Sequence, residues 1–147
     1  MADTTIRWAL AKHFITKLRA LPALEDVQIE PGFPGDTQEP DSIWISELDG
    51  DLEIPVSKAA RMQRDDKFTI PFEFRVAGRV DLDETMTRLS VLVAALEDLL
   101  ATDPGLENFD GLIDAEINSE VMTAGNMRGA GCLGFAQVVV SAHARLT

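Results

Sequence analysis

Tyrosine is missing from this 147-residue chain, cysteine occurs once and histidine twice. Each shortage removes a class of chemistry. A lone cysteine, Cys132, excludes an internal disulfide framework and a CxxC redox or zinc site, and leaves a reducing compartment as the default. Two histidines and one cysteine are too few ligands for a metal cluster, so neither a metal nor a cofactor is expected. No stretch approaches the roughly 18 uninterrupted apolar residues of a membrane span, and MADTTIRWALAKHFITKLRAL lacks the apolar run of a signal peptide. A soluble, unprocessed protein is expected. Basic residues are scarce as well: 13 Lys and Arg stand against 25 Asp and Glu, a formal charge of −12. Affinity-driven binding to nucleic-acid phosphates or anionic membranes is thereby disfavoured.

What is present suits a single compact domain over residues 1–147. The chain is 46% hydrophobic, and a fold of this size buries about two-thirds of the unfolded surface. A mean hydropathy of +0.01 is high for so acidic a chain, which leaves apolar surface to meet other subunits. Charge is also segregated. Ala20 to Ser57 holds ten acids and no Lys or Arg, and Asp81 to Glu120 holds eleven acids against Arg88 alone. The first helix carries Arg7, Lys12, Lys17 and Arg19, and Lys58, Arg61, Arg64 and Lys67 cluster after it. Basic and acidic elements on one molecule suit head-to-side contact between copies; a solvated acidic face is the competing account.

Periodicity divides the chain into two helices and several strands. Ile6, Leu10, Phe14, Leu18 and Leu21 recur at helical spacing until Pro22, which predicts a helix over about 4–20. Trp8 and Ile15 share an azimuth away from that stripe, so Trp8 either faces a partner or caps the domain's own core edge. Val27 and Ile29 mark a first strand, and PGFPGDTQEPD at 31–41 is a loop. SIWISEL at 42–48, the turn residues Asp49, Gly50 and Asp51, and LEIPV at 52–56 predict a hairpin; 58–66 is taken as a loop. Phe68, Ile70, Phe72, Phe74 and Val76 alternate on one face of a strand in which Pro71 suggests an edge position or a bulge. Asp81 with Glu84 can cap a second helix running to about Ala101. Two strands then close the chain, the last with a face of small residues (Gly134, Ala136, Val138, Val140, Ala142, Ala144) that lets a helix sit close. The expected class is α+β: a mostly antiparallel sheet of four to six strands with an N-terminal and a central helix packed on it.

The motifs that promise chemistry fail on context. Gly129 to Gly134 matches GxGxxG, but a strand follows it where a dinucleotide site needs a helix, so a hairpin tip at 122–132 is the better reading. Asp49, Asp51 and Glu53 lack the spacing of a calcium loop. His13, His143 and Cys132 have no nucleophile elbow or adjacent base in sequence, and no catalytic residue is assigned.

Taken in order, the N-terminal helix, PDSIWI, KFTIPFEFRV, VDLDETMTRLSVLVAALEDLL, TDPGLENFDGLIDAEI and the terminal AHARL resemble the tail-terminator (minor tail, tail-completion) proteins of long-tailed bacteriophages. The resemblance covers nearly the whole chain through diffuse patterns rather than invariant chemistry. It implies a non-enzymatic virion protein, assembled in the host cytoplasm, at the head-proximal end of the tail. There it would form a homo-hexameric ring on the tail-tube protein, end tube polymerisation and present a surface to the head-tail connector, or neck, protein. DNA would pass through the lumen without specific binding, and no membrane is involved. The same resemblance makes the first helix and the loops contact elements, with Trp8, Ile15, Trp44, Arg61 and Arg64 as candidate interface residues. Trp44 could instead be core, because Ile43 and Ile45 occupy the opposite face. Asp49, Asp51, Glu53, Asp81 and Asp83 are candidate lumen acids. Two alternatives remain: another neck or adaptor protein, and a small α+β ligand-binding module or enzyme with a site lined by Phe72, Phe74, His143 and Cys132.

Overall fold

The structure, a computed structural model, describes residues 4–53, 64–107, 109–127 and 131–146. Helix α1 (Thr4–Arg19) buries Leu10, Ala11, Phe14, Ile15 and Leu18. Pro22, which cannot donate into a continuing helix, instead opens a single 3-10 turn, Pro22–Leu24. Strand β1 (Gln28–Glu30) follows. The 31–40 connection, with a second 3-10 turn at Gly35–Thr37, then brings β2 (Asp41–Ile45) parallel to β1. After β3 (Asp49–Glu53) and β4 (Arg64–Arg79) come α2 (Leu82–Thr102), β5 (Leu112–Met127) and β6 (Gly131–Leu146). The sheet order is β1-β2-β4-β6-β5, with β3 also on β4, and every pairing except β1 with β2 is antiparallel. The α+β class read from periodicity is what the chain adopts.

Two local expectations are corrected. The residues expected to turn, Asp49, Gly50 and Asp51, lie inside β3, and β2 and β3 do not form a hairpin with each other. Both pair with β4, from Asp41↔Val76 to Ile45↔Phe72 and from Asp49↔Thr69 to Glu53↔Asp65, so they are successive pieces of one interrupted strand. Between Ile45 and Asp49 that strand takes four residue steps while β4 takes three, a one-residue bulge. Pro71 supplies the cause. Its carbonyl accepts from the Ser46 N–H at 3.1 Å, and in an antiparallel strand a residue's nitrogen lies on the same side as its carbonyl. The missing N–H therefore faces the interruption. For the same reason β4 is no edge strand: it is central, with Pro71 tolerated because the partner strand breaks opposite it.

The second correction concerns the loops. The expected tip at 122–132 is mostly strand, since β5 runs to Met127 and β6 starts at Gly131. Of the 58–66 loop, Arg64 to Asp66 belong to β4, and 54–63 lies outside the described residues. Strands β4, β5 and β6 each have 16 residues, about 50 Å at 3.3 Å per residue.

Both helices cover one face of this sheet. Phe68, Ile70, Phe72, Phe74 and Val76 of β4 are buried there beside Ala136, Val138, Val140, Ala142 and Ala144 of β6. Phe14 meets Phe72 edge-on at 5.3 Å between ring centres. The small face of β6 lies under α2, as its composition suggests. A Cβ added at Gly134 would stand 2.8 Å from Thr85 Cγ2, so the helix approaches to a distance that only glycine allows. Asp81 caps α2 as expected, its Oδ1 accepting from the Glu84 N–H at 2.7 Å.

Candidate assembly surface

Among the described residues several titratable side chains are tied into structural bonds, and no group of three or more His, Cys, Asp or Glu is placed to hold a metal. His13 bonds the Leu106 carbonyl at 3.0 Å and leans on Phe109, which anchors α1 to the 103–111 segment. Buried Cys132 donates to Asn126 Oδ1 at 2.8 Å, closing the far end of the β5/β6 hairpin. The pocket imagined between α2 and the sheet does not form. Phe72 and Phe74 are buried on the covered face, His143 stands at register positions facing the other way, and Cys132 pairs with Arg79 at the opposite end of β6. The glycine-rich segment has a mechanical explanation too: Gly131 has φ +76°, and a Cβ there would lie 2.7 Å from the Arg79 carbonyl.

Three carboxylates to which the sequence assigned no role are held by arginines. Arg7 Nε and Nη2 donate to Asp66 Oδ2 and Oδ1 at 2.9 and 2.6 Å, tying α1 to β4. Asp65, one residue earlier, belongs to the other face of β4. It accepts from Arg145 Nε at 2.9 Å and pairs with His143 Nε2 at 3.1 Å. The Arg145 bonds, with a smaller contribution from His143, outweigh desolvation and hold the Asp65 carboxyl down at about 2. Asp41 receives Arg79 Nη2 at 2.7 Å and Arg88 Nε at 2.9 Å on one oxygen, while its buried Oδ1 has no partner among the described residues. Charge pairs separated by more than 35 residues in sequence leave no periodic signal, so only a structure could find them.

The face of the sheet away from the helices is partly roofed by the 31–40 connection. Phe33 stacks edge-on to Trp44 at 5.3 Å, Gln38 donates to Ser42 at 2.9 Å, and Arg75 donates to the Glu39 carbonyl. Beyond that roof Val121 and Phe135 are exposed.

The outer side of α1 forms a groove of about 220 Å³ lined by Trp8, Lys12, Ile15, Thr16, Arg19 and Pro31. Trp8 is 46% exposed, and the Lys12 ammonium sits 5.8 Å from its ring centre. Two of the candidate interface residues are mostly buried in the single chain: Ile15, 3% exposed, forms the floor of the groove beside Pro31, and Trp44 lies against Phe33, as the core alternative left open for it allows. Arg64 opens β4 opposite Leu146, and Arg61 lies outside the described residues. Of the candidate lumen acids, Asp49, Asp51 and Glu53 pair in register with Thr69, Lys67 and Asp65, whereas Asp81 caps α2 and Asp83 is exposed in its first turn.

On the opposite side of the molecule β5 is an edge strand whose only strand neighbour among the described residues is β6. Asp114, Glu116 and Glu120 are exposed along it. Glu120 shares a hydrogen bond with Glu97 of α2, and that bond, with burial and the neighbouring charges, raises the Glu97 carboxyl above its usual range.

No family model and no curated protein matches the chain. Among solved structures, a chain from the virion of a native gene transfer agent (GTA) particle is similar over 93% of this chain and 95% of its own length. The TM-score is 0.54 and the identity 12%, so what the two chains share is a fold, end to end.

Proposed function

We propose that this chain is a structural protein of a phage-like virion, and within it the ring subunit that caps the tail tube, ends its polymerisation and offers the head-joining surface. The end-to-end likeness to a chain of a gene transfer agent virion carries the reading. Two features support it. The described histidines, Cys132 and buried carboxylates are engaged in structural bonds, with no nucleophile set against a base. A charge of −12 also suits a channel wall past which DNA slides without adhering. In this reading six copies form a ring of about 97 kDa in head-to-tail contact.

The test is made in particles. Without the protein, tail tubes should lose their uniform length and fail to join heads, and the purified protein should bind tube ends. Tubes of normal length that still join heads in its absence would reject the terminator role. Binding to the portal side rather than the tube would replace it with the neck-adaptor role, which the same fold likeness supports.

A further inference from the structure

The two sides of the molecule are complementary in a way that one copy cannot satisfy. Ile6, His13 and Lys17 turn one side of α1 toward the 103–111 segment that leads into β5: Ile6 lies against Gly111, His13 bonds Leu106 and Lys17 pairs with Glu107. At about 100° per residue, Trp8, Lys12, Ile15 and Arg19 point the opposite way, toward Pro31 and the β1 edge. Lys12 has no carboxylate partner among the described residues, and its ammonium stands over the Trp8 ring. At the other edge Glu97 and Glu120 stand together with no basic partner among the described residues. A carboxyl pair of this kind either retains a proton or repels itself until a cation arrives. The groove is thus a cation beside an apolar ring, and the β5 edge is an anion pair on an edge strand that also exposes Asp114 and Glu116.

We propose that copies of this chain join head to side, with the β5 edge and its Glu97–Glu120 pair on one copy seated on the Trp8–Lys12 groove of the next. The occupant of the groove is a second copy because this chain itself presents the complementary surface on its far side. Two unlike surfaces make the contact heterologous, so each copy keeps one of each unused and the contact repeats into a ring or a filament. The inference rests on the ring reading given above and names the surface that would build it.

Cysteine pairing tests it directly, since Cys132 is buried and introduced thiols can be bridged separately. Lys12→Cys and Glu120→Cys proteins are mixed and treated with a short bifunctional thiol reagent. A covalent dimer is expected in the mixture and in neither variant alone, and the doubly substituted chain should give a ladder ending at the ring size. No cross-link in the mixture, or equal cross-linking within one variant alone, overturns the contact. In parallel, Lys12→Glu should weaken self-association roughly tenfold by light scattering, with an unchanged thermal melt separating lost contact from lost fold. Rings visible by microscopy without the mixed cross-link refute this surface and leave the ring reading standing; absence of both fails both.

Discussion

The two faces of the sheet are built from alternate residues of the same strands yet held by different physics. On the covered face β4 contributes Phe68, Ile70, Phe72, Phe74 and Val76, and β6 answers with small residues, so the rows are apolar and filled by helices. On the other face the register sets Asp114 beside His143, His143 beside Lys67, and Gln137 beside Glu73, with Gln137 donating to Glu73 at 2.7 Å. Asp65 and Asp66 make the contrast within two residues. Asp66 closes on Arg7 under a helix, whereas Asp65 closes on Arg145 across the open strands. The difference teaches that apolar burial is concentrated on one face, which leaves the part of the other face beyond the 31–40 roof, and the β5 edge, open to contacts.

The largest expected effects break that comparison on its covered side. Phe72→Ala removes a fully buried ring and should cost about 3–5 kcal/mol in denaturant unfolding. Phe135→Ala, on the open face and 44% exposed, should stay within about 0.5 kcal/mol. Similar losses from the two would show that the open face is stabilised by apolar burial after all. Next in size, Gly134→Leu pushes a side chain into Thr85 and Leu89 of α2 and should cost about 1–3 kcal/mol.

How much of this was legible follows the same division. The covered face announces itself by period: helical spacing from Leu10 to Leu18, alternation from Phe68 to Val76, and a small-residue face on β6 that correctly placed a helix above it. Boundaries failed where a local signal met a non-local partner. Asp49, Gly50 and Asp51 have turn chemistry, but pairing with Thr69, Phe68 and Lys67 drew them into a strand. Pro71 was legible as a disturbance and misleading about where the disturbance would fall, since its partner strand broke instead of its own. Trp8 and Ile15 share an azimuth, yet only Ile15 is buried, because Pro31 arrives from a loop that helix geometry alone does not place. The ion pairs of Asp41, Asp65 and Asp66 and the Glu97–Glu120 pair were invisible, because pairing across the fold has no sequence period.

A smaller effect sharpens the open face. The Asp65 carboxyl is held at about 2 in the fold against an ordinary 3.8, chiefly by Arg145. A carboxylate with a lowered folded value stabilises the protein above its unfolded value, and that contribution fades as the pH falls through the folded one. Wild type should therefore be more stable than Asp65→Asn at neutral pH. The gap between their melting temperatures should shrink below pH 3.8 and close near about 2. A gap that persists at the acid end would mean that Asp65 acts through packing rather than charge.

The smallest effect has the most to say about the edge. The Glu97 carboxyl is raised by its bond to Glu120, so the sign is the reverse: its contribution is complete below the ordinary 4.5 and is lost as the pH rises through the raised folded value. Glu120→Gln keeps a hydrogen-bonding group and removes the like charge, so the variant should gain a few tenths of a kcal/mol over wild type at neutral pH and nothing in acid. If the pair merely decorates an exposed edge, relieving it leaves association unchanged. If it awaits a lysine from the next copy, the same substitution stabilises the single chain while weakening its self-association. Opposite signs from one substitution distinguish an edge built for contact from one that is only tolerated by the fold.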